Sequence, residues 1–169
     1  MTVPSKNEIE FQGYSPGVIG RITEAHALYY HEHWGFDVSF ETQVGRELSA
    51  FMAAFQEGRD GFWAATEGGR FAGSVAIDGR EAHPEGARLR WFIVVQGYQG
   101  TGLGKSLLRR AVDFCRQTGF PRVYLWTFEG LDTARALYEG EGFRLCEKHA
   151  VNQWGQRITE QMYELHFKR

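Results

Sequence analysis

The sequence has little from which a covalent or metal-held scaffold can be built. Only two cysteines, Cys115 and Cys146, occur in 169 residues. They lack C-x-x-C spacing, which excludes a disulfide framework and gives no zinc-ligand set. Both are expected to be reduced core residues, with a catalytic thiol left open. No H-E-x-x-H spacing is present either, so no metal is expected. No apolar run approaches the roughly 18 residues of a membrane helix, and the opening stretch MTVPSKNEIE lacks the apolar centre of a secretory leader. The expectation is therefore no membrane partner and a cytoplasmic setting. Positive charge is not in excess, with 19 Lys and Arg against 21 Asp and Glu and a net charge of −2, so no nucleic-acid partner is expected. Repeats, low-complexity tracts and Pro/Ser-rich linkers are also missing. The length suits a single domain over residues 1–169.

What is present is an ordinary globular composition, 43% apolar and 24% charged. After a short strand at Ile9 to Gln12, Ile19, Ile22, Ala25, His26, Tyr29, Tyr30 and His33 recur at helical spacing up to Gly35. A second helical period runs from about Glu41 to Gln56. Phe62 to Thr66 and Phe71 to Ile77 then read as a hairpin around Gly68-Gly69, followed by a strand from Ala87 to Val95. Leu103, Leu107, Leu108, Ala111, Phe114 and Cys115 form an apolar stripe on a helix from about Gly102 to Thr118. A strand at Val123 to Thr127, a helix at Thr133 to Glu141, and strands at Leu145 to Val151 and Met162 to Phe167 complete the chain. The order β-α-α-β-β-β-α-β-α-β-β predicts an α/β fold with a mixed sheet.

The most informative segment is the passage from the apolar run Phe92-Ile93-Val94-Val95 through Gly97, Gly100, Gly102 and Gly104 into a helix. Glycine permits positive φ and close backbone approach, and a helix start offers unpaired N–H groups and the positive end of a dipole, so the segment predicts anion binding. It is not a Walker A loop, which needs glycine where Gln99 stands. Nor is it a dinucleotide fingerprint, which needs glycine where Lys105 stands.

The remaining pattern, Gln99-x-x-Gly102-x-Gly104, resembles the Q/R-x-x-G-x-G/A signature of the GNAT superfamily of acyl-coenzyme A dependent N-acyltransferases. Ala134-x-x-Leu137-Tyr138-Glu139-x-x-Gly142-Phe143 resembles that family's second signature. Together with the element order, the resemblance covers about Phe62 to Phe167, and it looks closest to acetyltransferase domains fused to MarR-type regulators. It implies a mixed, mostly antiparallel twisted sheet of about seven strands with four helices and splayed central strands. It also implies acetyl-coenzyme A as co-substrate, its pantetheine arm on the main chain of Phe92, Ile93 and Val94. The pyrophosphate would lie on the loop Gln99, Gly100, Thr101, Gly102, Leu103, Gly104 and Lys105. Tyr138 matches the residue that protonates the departing thiolate; an ordinary tyrosine near pKa 10 and a thiol near 8.5 make a workable pair. Two positions depart from the pattern. Leu131 stands where relatives often carry asparagine, with Asp132 or Thr133 as replacements near the cofactor arm, and Trp126 stands where some relatives place a glutamate base.

A lysine-like amine costs roughly 4.6 kcal/mol to present uncharged at neutral pH, so a base is needed. The opening helix offers His26 and His33, seven residues apart on one face. They predict a rise of activity through a pKa near 6 to 7. Tyr29, Tyr30, Trp34, Phe36, Phe40, Trp126 and Trp154 are aromatic residues for an acceptor pocket or for the core. The function expected is acetyl transfer from acetyl-coenzyme A to the primary amine of a small molecule or peptide by direct attack in a ternary complex. The alternative is a catalytically weak coenzyme A-binding sensor. The acceptor's identity and homodimerisation are left open.

Overall fold

The computed structural model describes residues 8–82 and 86–168; most of the opening stretch read for a leader lies outside them. Seven strands form one sheet in the order β1-β2-β3-β4-β5-β7-β6. β1 (Ile9–Gln12) is followed by α1 (Val18–Trp34) and α2 (Val38–Ala53). Then come β2 (Gly61–Glu67), β3 (Arg70–Asp78) and β4 (Ala87–Val94). α3 (Leu103–Thr118), β5 (Arg122–Phe128), α4 (Asp132–Gly140), β6 (Arg144–Gln153) and β7 (Gln156–His166) complete the chain. Every pairing is antiparallel except β4 with β5. The expected architecture, mixed α/β with seven strands and four helices among the described residues, is the one observed.

The apolar periods of the helices set the layers. Leu103, Leu107, Leu108, Ala111 and Cys115 of α3 pack with Val75, Leu89, Val123, Leu125, Tyr138 and Tyr163 on one face of the sheet. Val18 and Ile22 of α1 and Phe40, Val44, Leu48 and Phe51 of α2 cover the other face with Phe36, Phe62, Trp91 and Ile158. No helix among the described residues is long and apolar enough to cross a membrane.

Three sequence expectations shift. α2 begins at Val38 rather than Glu41, because the Asp37 carboxylate accepts from the Ser39 N–H at 3.0 Å and caps the helix. β6 and β7 form one long hairpin through Trp154 and Gly155, both left-handed at φ 53° and 81°, as a tight two-residue turn requires. The polar residues Asn152, Gln153, Gln156 and Arg157 flanking that turn carry no buried period, so the sequence pattern stopped short of them. Cys146 is exposed rather than buried, since β6 is an edge strand whose residues face solvent almost throughout. Cys115 is in the core as expected, and burial pushes its thiol up to about 12.

The functionally decisive irregularity is in β4. Its register against β3 shifts between Ser74 and Ala76, and Trp91 adopts a left-handed φ of 48°. The buried Ser74 hydroxyl donates to the Trp91 carbonyl at 2.8 Å and satisfies a group that the bulge removes from the ladder. Beyond the bulge the strand turns from β5, with which it pairs only at Ala87↔Val123 and Arg88↔Tyr124. Ser74→Ala leaves a buried carbonyl unpaired and is expected to lower stability by about 1–3 kcal/mol, measured by urea denaturation.

Candidate active site

Where β4 and β5 part, a cleft of about 880 Å³ passes between them, a volume suited to a small molecule or cofactor arm. Its β4 wall is Phe92, Ile93 and Val94. These side chains are half-buried, and no β5 pairing takes up the main-chain edge of β4 beyond Arg88. At one end β4 runs through a single 3-10 turn, Gln96–Tyr98, into the start of α3. The Tyr98 N–H donates to the Val95 carbonyl at 2.9 Å, the Thr101 hydroxyl to the Tyr98 carbonyl at 2.5 Å, and the Gln99 amide to the Val94 carbonyl at 3.2 Å. These bonds fix the loop from within.

Gly102 is the N-cap of α3 at φ 87°, and no side chain caps the helix. The first-turn N–H groups therefore lack both intrahelical and capping partners and face outward at the positive end of the helix dipole. A Cβ on Gly100 or Gly102 would meet nothing within 4 Å, so the space over these backbones is open to a ligand. Gly104 is different. A Cβ there would stand 3.0 Å from Leu137 Cδ1 and 3.6 Å from Phe92, so its smallness lets α3 start close against α4 and β4. Geometry and chemistry fit a diphosphate in this cradle. Gln99, Gly100, Gly102, Gly104, Lys105 and Thr133 line the cleft, whereas Thr101 is exposed outside it and Leu103 is buried in the core.

Tyr138, on α4, lines the cleft and is buried among Phe92, Phe143 and Tyr163. Burial first, then the neighbouring Tyr30 phenol, pushes its hydroxyl well above the ordinary tyrosine range. The near match with a thiol expected from sequence is thus altered: Tyr138 stays protonated and is a stronger holder of its proton than a solvated tyrosine. Leu131 and Trp126, the two departures, also line the cleft.

The histidines are not brought together. His26 lines the cleft but is buried in α1. Its Nδ1–H donates to the Ile22 carbonyl at 2.8 Å, which leaves Nε2 as the acceptor in the neutral ring. Burial outweighs that bond and pulls the imidazole down to about 4. His33, the penultimate residue of α1, is exposed, packs on the Tyr29 ring and lies outside the cleft. The expected titration near pH 6 to 7 is therefore not that of His26, because desolvation penalises the imidazolium. Of the seven aromatic residues, Tyr29, Tyr30, Phe40, Trp126 and Trp154 line the cleft, while Trp34 and Phe36 pack in the cluster beneath α1 and α2.

On the α1/α2 side the cleft holds charged groups that the sequence did not single out: Glu47 from α2, Arg88 and Arg90 from β4, and Glu160 from β7. Glu160 lies opposite Phe128 of β5 and His149 of β6. Its carboxylate is 3.2 Å from His149 Nε2, and the imidazole reaches solvent. Arg90 pairs with Glu47 at 2.5 Å, lies 3.7 Å from Asp78, and sits over the Trp91 ring. No local pattern flags these residues, because strand pairing and helix packing bring them together from four separate elements.

Comparisons with known proteins agree with this architecture. The chain is 32% identical over 124 residues to N-acetyltransferase family 8 member 2 of Rattus norvegicus, covering 69% of this chain and 55% of that protein. It is 26% identical over 131 residues to an uncharacterized N-acetyltransferase of Methanocaldococcus jannaschii, covering 75% and 57% respectively. The chain thus spans little more than half the length of these curated relatives. The structure of yncA from Salmonella typhimurium with its cofactor acetyl-CoA superposes with a TM-score of 0.74 at 17% identity, covering 95% of this chain and 94% of that one. The model of the acetyltransferase (GNAT) family matches residues 22–143, and the chain belongs to that family.

Proposed function

We propose that this chain is an acetyl-coenzyme A dependent N-acetyltransferase that acetylates a small amine acceptor in a ternary complex. The observation that carries the reading is the parted β4–β5 edge leading directly to the uncapped N-terminus of α3. The Salmonella neighbour, solved with acetyl-CoA, supports the same use of the cleft here. When bound, acetyl-coenzyme A supplies an acetyl thioester whose acyl carbon gains the bond to the amine nitrogen as its bond to sulfur breaks.

The rest is positioning by the chain's own groups. The main-chain N–H groups of residues 100–105 hold the diphosphate, with Lys105 adding charge at the rim. The open edge of Phe92, Ile93 and Val94 pairs with the amide-bearing arm, and Thr133 stands beside it at the first turn of α4. Tyr138 directs its hydroxyl toward the departing sulfur, holds it by a hydrogen bond and delivers the proton as negative charge develops. Glu160 takes the proton from the attacking amine and passes it to His149, whose exposed ring returns it to solvent. Aligning amine and thioester in this way is worth roughly 7–11 kcal/mol of barrier. The coenzyme A-binding sensor remains the second reading, motivated by the apolar Trp126 and Leu131 in the cleft; single-turnover transfer to amines separates it from an enzyme.

Gly102→Asp gives a clean test of the cradle. Aspartate tolerates the left-handed backbone better than most residues and caps a helix start, so the fold should persist while the carboxylate repels the diphosphate. Calorimetry should show the loss of acetyl-coenzyme A binding; unchanged affinity would refute the assignment. Tyr138→Phe and Glu160→Gln should each bind acetyl-coenzyme A yet lower kcat by about 10²- to 10⁴-fold, read in a stopped assay of acetylated product. His26 should behave otherwise. Its folded pKa lies below the unfolded value of 6.5, so the unfolded chain binds the extra proton and stability falls as pH drops from 6.5 toward 4, by up to about 3 kcal/mol. Its ring signals in NMR should stay in the neutral form from pH 8 to 5.5, and His26→Gln should flatten the acid limb of stability rather than any limb of activity between pH 6 and 7.

A further inference from the structure

Among the charged groups in the acceptor half of the cleft, one cation is uncompensated. Arg88 and Arg90 alternate on β4 with Leu89, which belongs to the core beneath α3, so both arginines stand on the α1/α2 face. Arg90 is satisfied by Glu47, with Asp78 a further 3.7 Å contact, and Asp78 is itself held by Arg80 at 2.7 Å. Arg88 has no such partner. Its Nε is buried without a hydrogen bond, and none of the ion pairs among the described residues involves it. Its charge nevertheless reaches Arg90: burial first, then Arg88, pulls the Arg90 guanidinium below its usual range.

An orphaned buried donor on a charged side chain is costly unless something pairs with it. Glu47 is engaged by Arg90, and Glu160 lies on β7 beside His149. Arg88 lies where β4 and β5 still pair, at the closed end of the opening, and β4 then runs past Arg90 to the parted edge at Phe92. An acceptor whose carboxylate meets Arg88 therefore extends its amine along β4 toward the site of transfer. Tyr29, Trp126 and Phe128, which also line the cleft, supply apolar contact for the carbon framework between the two ends.

We propose that the acceptor is an amino carboxylic acid, its carboxylate received by Arg88 and its amine presented at the parted β4–β5 edge. The proposal rests on the acceptor half of the cleft assigned above. It separates this protein from enzymes that acetylate simple or polycationic amines, because a carboxylate is required and a second cation is disfavoured next to Arg88. A guanidinium with planar donors suits a carboxylate held by two oxygens better than an ammonium does.

The test compares free α- and ω-amino acids with their carboxamides as acetyl acceptors, each pair differing only in the charged group. For at least one pair the wild type should favour the acid about 10- to 100-fold in kcat/KM, the range for a hydrogen bond to a charged group. Arg88→Gln should remove that preference and Arg88→Lys should keep part of it, with folding of both variants verified by the thermal shift on adding acetyl-coenzyme A. Amides acetylated as well as acids across the panel, or a preference that survives Arg88→Gln, would overturn the proposal. Binding is read separately by calorimetry on coenzyme A-saturated wild type, with N-acetyl amino acids against N-acetyl amino amides. Acid-selective binding without any transfer upholds the anion site and overturns the transferase reading, whereas equal binding of acid and amide overturns the anion site whatever the rate of transfer.

Discussion

The separation of β4 from β5 is the constraint on which the rest of the site depends. A sheet normally pairs every inner strand on both edges, and a strand that gives up one edge leaves main-chain groups without partners. Here the loss is localised by the bulge at Trp91, whose left-handed backbone and Ser74-bound carbonyl bend β4 while its other edge stays paired to β3 as far as Val94. The unpaired edge of β4 then borders a cleft rather than a packed core. Because α3 starts a few residues beyond the end of that strand, the same bend places an uncapped helix terminus at the mouth of the opening.

The two faces of the sheet divide the chemistry. On the α3/α4 face the surroundings are apolar, and Tyr138 is held neutral by burial. On the α1/α2 face the cleft is bordered by charge: Glu47 with Arg90, Glu160 with His149, and Arg88 by itself. In the proposed mechanism, proton transfer to sulfur and proton removal from the amine fall on opposite sides of the transferred group. The burial that keeps Tyr138 protonated also disqualifies His26. Desolvation raises an acid that is neutral when protonated and lowers a base that is charged when protonated.

The glycines of the loop do two kinds of work. Gly102 holds a backbone conformation that most side chains resist and leaves open space above it, while Gly104 lets two helices and a strand approach. Bulk at the second would disturb packing against Leu137 and Phe92, whereas the space over the first is open. A motif written as letters does not distinguish them, because both positions read as glycine.

Much of the fold and the position of the glycine loop at the cleft were legible in the sequence because they rest on local signals, although Thr101 and Leu103 of that loop fall outside the cleft. Helical and strand periods set the element order, and Gln99, Gly102 and Gly104 followed by the Ala134 to Phe143 signature marked the loop and α4. A strand-to-helix passage rich in glycine has one physical meaning wherever it occurs, since helix termini carry their own unpaired groups. The charged half of the cleft, on the α1/α2 face, was not legible. Glu47, Arg88 and Glu160 lie on α2, β4 and β7, and nothing local relates them; only the pairing of β5 with β7 and the packing of α2 over β4 bring them to one cleft, with His149 of β6 beside Glu160. Burial was likewise decided in three dimensions, so His26 and His33, equivalent by helical spacing, ended as a desolvated ring and a solvated one. The sequence by itself determined where backbone could bind an anion. The tertiary structure decided which side chains border the rest of the cleft, because side-chain environment depends on distant segments whereas a helix start depends on its own neighbours.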